Sequence, residues 1–146
     1  MPHIDAQELA GRYAAVWNER DPELRRKAVH ALWSPDGVHA LLPPQELQET
    51  AVRLGFPTAA LEARGHDELE ARVARAHEEF VATGEYTFRA TAAHAQQLND
   101  VVTFRWESVL TQSGEVTGGG LEFVVVAEDG RIVRDYQFVG VSTTRD

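Results

Sequence analysis

The chain changes its hydrophobic period once, at Gly84, and that switch does most to limit the fold. Before it, apolar residues recur at helical spacing. Leu9, Tyr13, Val16 and Trp17 share one face, Leu24, Ala28, Val29, Leu32 and Trp33 a second, and Leu69, Val73, Ala76 and Phe80 a third. After it, Tyr86, Phe88, Ala90 and Ala92 alternate with Thr87, Arg89 and Thr91, the two-residue period of a strand. The turn pairs Asn99-Asp100, Ser113-Gly114 and Asp129-Gly130 then divide the rest into Val101 to Thr111, Glu115 to Ala127 and Arg131 to Val141. Helices first and long strands afterwards predict one α+β domain over 1–146, with helices on one face of an antiparallel sheet.

Local signals set the boundaries. Asp5 with Glu8 has capping-box spacing, and Asp21-Pro22 supplies an N-cap and a first-turn proline. Ser34-Pro35-Asp36-Gly37 stops the second helix, and Val38 to Leu42 reads as a short strand ended by Pro43-Pro44. Residues 45–65 read as a helical insert or lid: Gln45 to Leu54, then a further turn or two over Thr58 to Arg64, stopped by Gly65. Asp67 caps the third long helix. Gly118-Gly119-Gly120 marks a bulge or a close backbone approach. Leu121 to Val126 is nearly all apolar, so both faces of the sheet are expected to be covered, one by helices and a pocket and the other by a second subunit.

The formal charge of −9, with a single Lys at Lys27, argues against a nucleic-acid partner, which would need clustered basic residues. With no Cys there is no disulfide and no thiolate nucleophile. No apolar run approaches the roughly 20 residues of a membrane helix, and no leader pattern precedes Asp5, so a cytoplasmic location is expected. No two His show metal-ligand spacing, so no metal and no cofactor are expected.

Two triplets carry the candidate chemistry: Arg105-Trp106-Glu107 and Arg134-Asp135-Tyr136. Residues two apart on a strand share a face, so Arg105 and Glu107 point the same way. If Asp135 joins them, an arginine lies between two carboxylates and holds one ionised and the other protonated. The alternative is an ion network with no chemistry. His39 is a candidate base near neutral pH or a half-exposed strand residue. His30 and His77 read as helix-surface or core-edge residues and His94 as solvated. Tyr13, Trp17, Trp33 and Phe80 read as core residues, and with Leu121 they are the candidates for contact with a bound substrate.

The element order, with Trp33-Ser34-Pro35-Asp36-Gly37 and Asp129-Gly130-Arg131-Ile132-Val133, resembles the NTF2-like superfamily, in particular its SnoaL-like members. The resemblance implies a cone: a curved antiparallel sheet wrapped around three to four helices, with an apolar pocket, in many members a homodimer through the convex face. The superfamily holds isomerases, cyclases, epoxide hydrolases, dehydratases and non-enzymatic binders, so fold alone does not give activity. Arg105, Glu107 and Asp135 are similar to the Arg-x-Asp and second Asp of limonene-type epoxide hydrolases. There the last-strand acid activates water, the middle-strand acid protonates the epoxide oxygen and the Arg bridges them. Leu41 stands where that family has Asn, and Val133 where it has Trp. The ketosteroid-isomerase branch would put an acid on the first strand, and Val38 to Leu42 has none. The expected function is cofactor-free acid–base chemistry on a hydrophobic small molecule, epoxide hydrolase-like or isomerase/cyclase-like. The alternative is a non-catalytic ligand-binding or dimerisation module.

Overall fold

The computed structural model describes residues 4–43, 45–55 and 61–140; the side chains of residues 47, 51 and 92–94 lie outside that description, and with them the expectation for His94. The helices are α1 (Ala6–Asn18), α2 (Pro22–Leu32), α3 (Gln45–Arg53) and α4 (Gly65–Ala76). The strands are β1 (Trp33–Leu42), β2 (Leu61–Arg64), β3 (Tyr86–Leu98), β4 (Val101–Leu110), β5 (Val116–Val126) and β6 (Ile132–Val139). They form one sheet in the order β2-β1-β6-β5-β4-β3. Every ladder is antiparallel except β1–β6, which is parallel.

The caps read from sequence form. Asp5 accepts from the Glu8 N–H at 3.1 Å, and Asp21 accepts from Glu23 and Leu24 at 2.9 and 3.3 Å with Pro22 in the first turn. The Asn18 side chain ties the end of α1 to β3, donating to Phe88 O at 2.6 Å and accepting from Phe88 N at 2.9 Å. Leu9 and Tyr13 of α1, Val29 and Leu32 of α2 and Leu69 and Val73 of α4 form one core with Phe104, Val124 and Ile132 of the sheet. The sheet therefore has an inner face that meets the helices and an outer face that does not. Among the described residues no helix is long and apolar enough to cross a membrane.

Four expectations need correction. Leu61–Arg64 is not helical; it adds to the edge of β1, with Ala63 beside His39. Trp33 does not close α2 but opens β1, which runs through Ser34–Gly37 with a register shift before Val38. The third long helix starts at Gly65 rather than at an Asp67 cap. Finally, α4 passes into a π-helical turn, His77–Val81, whose wider winding carries Phe80 off the apolar stripe, and its side chain is 44% exposed.

Candidate functional site

Alternation along β5 puts Glu122 and Val124 on the inner face, between the outward Leu121, Phe123 and Val125. Glu122 pairs with Phe104 of β4 and Gln137 of β6, and Val124 pairs with Asp135. Asp135 in turn lies beside His39 across the parallel β1–β6 ladder. Three strands thus bring His39, Glu122 and Asp135 together on one face, and all are at most 1% exposed. A ring nitrogen of His39 and one oxygen of each carboxyl fall within 4.8 Å of one another, close enough to share a proton or to gather a cation.

Tyr13 of α1 closes the cluster from above. Its hydroxyl donates to Glu122 Oε2 at 3.0 Å, and Trp106 Nε1 donates to Glu122 Oε1 at 3.0 Å. Trp106 can lie flat against β5 because residue 120 is glycine: a Cβ there would stand 2.6 Å from the indole Cζ2 and 2.7 Å from Phe138 O. The glycine run acts as the close-approach site read from sequence, and the ladder shifts beside it, between Ser108 and Val109. Trp17 and Trp33 complete the aromatic wall. The Trp17 ring lies 5.6 Å from His39, and Tyr13 packs edge-on to Trp33 at 5.7 Å and to Phe104 at 5.1 Å.

The electrostatics follow from this burial. The Glu122 carboxyl is pushed well above the ordinary carboxylate range, first by burial and then by the negative charge of Asp135. The Tyr13 phenol is raised by burial and by both acids, so it remains a donor. His39 is lowered, chiefly by burial. Among the described residues no N–H or O–H meets hydrogen-bond geometry with either Asp135 oxygen. The Tyr13 hydroxyl donates to Glu122 and lies near enough to Asp135 for both acids to raise it. The ring N–H positions of Trp17 and Trp33 and the Nε2 of His39 are also buried without a partner. A desolvated carboxylate and several unmatched donors in one interior are costly unless a bound molecule meets them.

Of the residues expected at the site, Tyr13, Trp17, Trp33, His39 and Asp135 are brought together. Arg105, Glu107 and Leu121 are not. Arg105 pairs with Leu121 and Leu121 with Phe138, which places them on the outer face, three residues out of phase with Asp135. Glu107 also faces outward and accepts from Arg89 Nε at 2.8 Å. Arg105 and Leu121 instead line an outer groove of about 310 Å³ with Gln96, Thr103, Phe104 and Phe123. The arginine-bridged pair of acids therefore does not form, because the sheet separates Arg105 and Glu107 from Asp135. Phe80 stacks edge-on against Tyr86 and Phe88, away from the cluster. Glu122, Trp106 and Arg72 are the partners that sequence reasoning missed. Glu122 had a signal: it is the one charge inside Leu121 to Val126.

No family model and no curated protein sequence matches the chain. Solved structures do. A SnoaL-like-family protein from Agrobacterium tumefaciens, provisionally assigned as an isomerase, superposes with a TM-score of 0.71 at 22% identity, over 92% of this chain and 96% of that one. An NTF2-like protein of unknown function from Mesorhizobium loti gives 0.57 at 19% identity, over 95% and 96%. A provisional polyketide cyclase from Sinorhizobium meliloti gives 0.56 at 13% identity, over 89% and 93%. The chain has the NTF2-like fold of these proteins.

Proposed function

We propose that the protein is a cytoplasmic small-molecule enzyme that moves protons without a cofactor, with Asp135 as the base. The observation that carries this reading is the Asp135 carboxyl, 1% exposed, with no donor in hydrogen-bond geometry among the described residues and with Glu122 beside it. A carboxylate whose lone pairs are not taken up by protein donors has them free to accept a substrate proton. Glu122, held toward its neutral form by burial and by Asp135, can give its own proton to the substrate, and the proton taken up by Asp135 then passes to Glu122 beside it, which restores both acids. Tyr13 and Trp106 fix the Glu122 carboxyl by occupying both of its oxygens. The aromatic wall of Tyr13, Trp17 and Trp33 suits a hydrophobic substrate. Removal and return of a proton next to a carbonyl is the step that isomerisation and cyclisation share, and those are the activities provisionally assigned to two proteins of this fold.

The test is solvent deuterium exchange into a panel of hydrophobic ketones and β-dicarbonyl compounds, followed by proton NMR. The wild type should exchange at least one of them, and Asp135→Asn, nearly isosteric, should fold and lose the exchange. Equal exchange by Asp135→Asn would remove Asp135 as the base. Binding of panel members without exchange would favour a ligand-binding module.

The same reading includes a homodimer through the outer face. Leu121, Phe123 and Phe138 are only half-buried there, and Tyr136 is 42% exposed. A contiguous apolar surface of this kind suits a second copy of the chain.

A further inference from the structure

Arg72 of α4 reaches back to β1. Its Nη1 lies 2.9 Å from His39 Nδ1, 3.2 Å from His39 O and 3.3 Å from Leu61 O. A guanidinium has donors only and keeps its protons throughout the usual pH range. The ring nitrogen that faces it must therefore offer a lone pair. A neutral imidazole carries one proton, so that proton belongs on Nε2. Turning the ring over would set a C–H against the cation and gain nothing. Nε2 is buried, no residue among those described meets strict hydrogen-bond geometry with it, and the side chains next to the ring on β6 are Asp135 and Gln137.

We infer that Arg72 is a positioning residue: by donating to Nδ1 it fixes His39 as the Nε2–H tautomer, so the ring presents an N–H donor to a substrate oxygen beside Asp135 and has no lone pair there for a metal ion. The spacing of His39, Glu122 and Asp135 would otherwise invite a cation. Metal-ligating histidines donate their second ring N–H to a carboxylate or carbonyl, whereas His39 receives a hydrogen bond at that atom. The titratable groups around the ring are Arg72 on α4, Glu122 on β5 and Asp135 on β6, and Arg72 itself is faced by Glu68 on α4 and Tyr13 on α1. Burial, together with the Arg72 charge, favours the neutral ring over imidazolium, while Asp135 and the Gln137 side chain oppose them. The donor role toward substrate rests on the proton-transfer reading; the tautomer rests on geometry alone.

The experiment is ¹⁵N–¹H correlation of the histidine rings in uniformly labelled full-length protein at pH 7, with His39 identified by its loss in His39→Gln. The wild type should show a protonated Nε2 and a bare Nδ1. Arg72→Lys keeps a donor and should keep that pattern. Arg72→Met, at a half-buried position, should admit the Nδ1–H form and raise the apparent pKa of His39. A wild-type ring protonated at Nδ1, or a pattern indifferent to Arg72→Met, overturns the inference. So does zinc in molar excess that displaces the Nε2 proton of the wild type; an unchanged signal supports it. These spectra need no substrate. A wrong tautomer therefore leaves the deuterium-exchange test of Asp135 intact, and a failed exchange leaves the tautomer intact.

Discussion

Replacing Glu122 with Gln should reshape the pH profile of stability in a way that can be worked out beforehand. Glu122 is fully buried, and both its oxygens accept, from Tyr13 and from Trp106. In the unfolded chain a glutamate titrates near pH ~4.3. In the folded chain burial and Asp135 raise that value well above the ordinary range. Between the two values the folded protein holds a proton that the unfolded chain has already lost. Stability therefore falls as pH rises through that window, by about 1.4 kcal/mol per pH unit, and the loss ends once pH passes the folded value. Below the unfolded value both states are protonated and the penalty is absent.

The amide of Glu122→Gln cannot titrate, so the variant lacks this slope. It begins at a disadvantage at low pH. The amide oxygen can keep Trp106, but the NH₂ then faces Tyr13, whose hydroxyl must turn to accept from it, a rearrangement that costs about 0.5–1.5 kcal/mol. With rising pH the variant should gain on the wild type by about 1.4 kcal/mol per unit and overtake it within one or two units. His39 has the opposite sign. Its folded value is lowered, so its share of stability grows as pH rises through its usual range. Both proteins carry His39, and the difference between them removes it. Urea unfolding at pH 5, 6, 7 and 8, with equal m-values in the two proteins, reads the gap directly. A gap independent of pH would mean that Glu122 is ionised throughout, and the neutral proton donor would fall with it.

Three further outcomes follow from single contacts. Gly120→Ala puts a Cβ within 2.7 Å of the Trp106 ring and of Phe138 O, so it should cost about 1–3 kcal/mol and shift Trp106 fluorescence as the indole leaves Glu122; an unshifted spectrum would show that Trp106 is held elsewhere. Trp33→Ala, at a site with 0% exposure, should cost about 3–5 kcal/mol in chemical denaturation, and a loss under about 1 kcal/mol would contradict its place in the core. Phe138→Asp should convert a dimer to a folded monomer by light scattering, and a wild type already monomeric at micromolar concentration would rule out pairing through the outer face.

Helix and strand could be read from period because each apolar stripe or alternation ran for three or more repeats. Where a segment was short or mixed, period gave out. Leu61–Arg64 has four residues and one buried position, so nothing in it separates a strand edge from a helical turn. Phe80 was placed by continuing the mixed three- and four-residue steps of Leu69, Val73 and Ala76, and the π-helical turn breaks that spacing. The site failed for a related reason. Arg105 and Glu107 do share a face, as their spacing requires, but their relation to Asp135 depends on register carried across β5. The chain of pairs Arg105, Leu121, Phe138 ends three residues from Asp135, and an odd offset means the opposite face. Only paired strands fix that parity, since β4 and β6 never touch. Arg72 carried no pattern at all, because its meaning lies in reaching His39 from another element. Glu122 is the instructive case. A charge alone in an apolar strand either turns outward, where it is free to be solvated, or inward, where it must be matched or neutralised. Its neighbours Leu121 and Phe123 face outward and only half-buried, so the acid, not the hydrophobes, occupies the interior. A sheet that buries a carboxyl while leaving leucine and phenylalanine at its surface has given up stability at that position, and the unmatched Asp135 beside it is where that cost can be returned as reactivity.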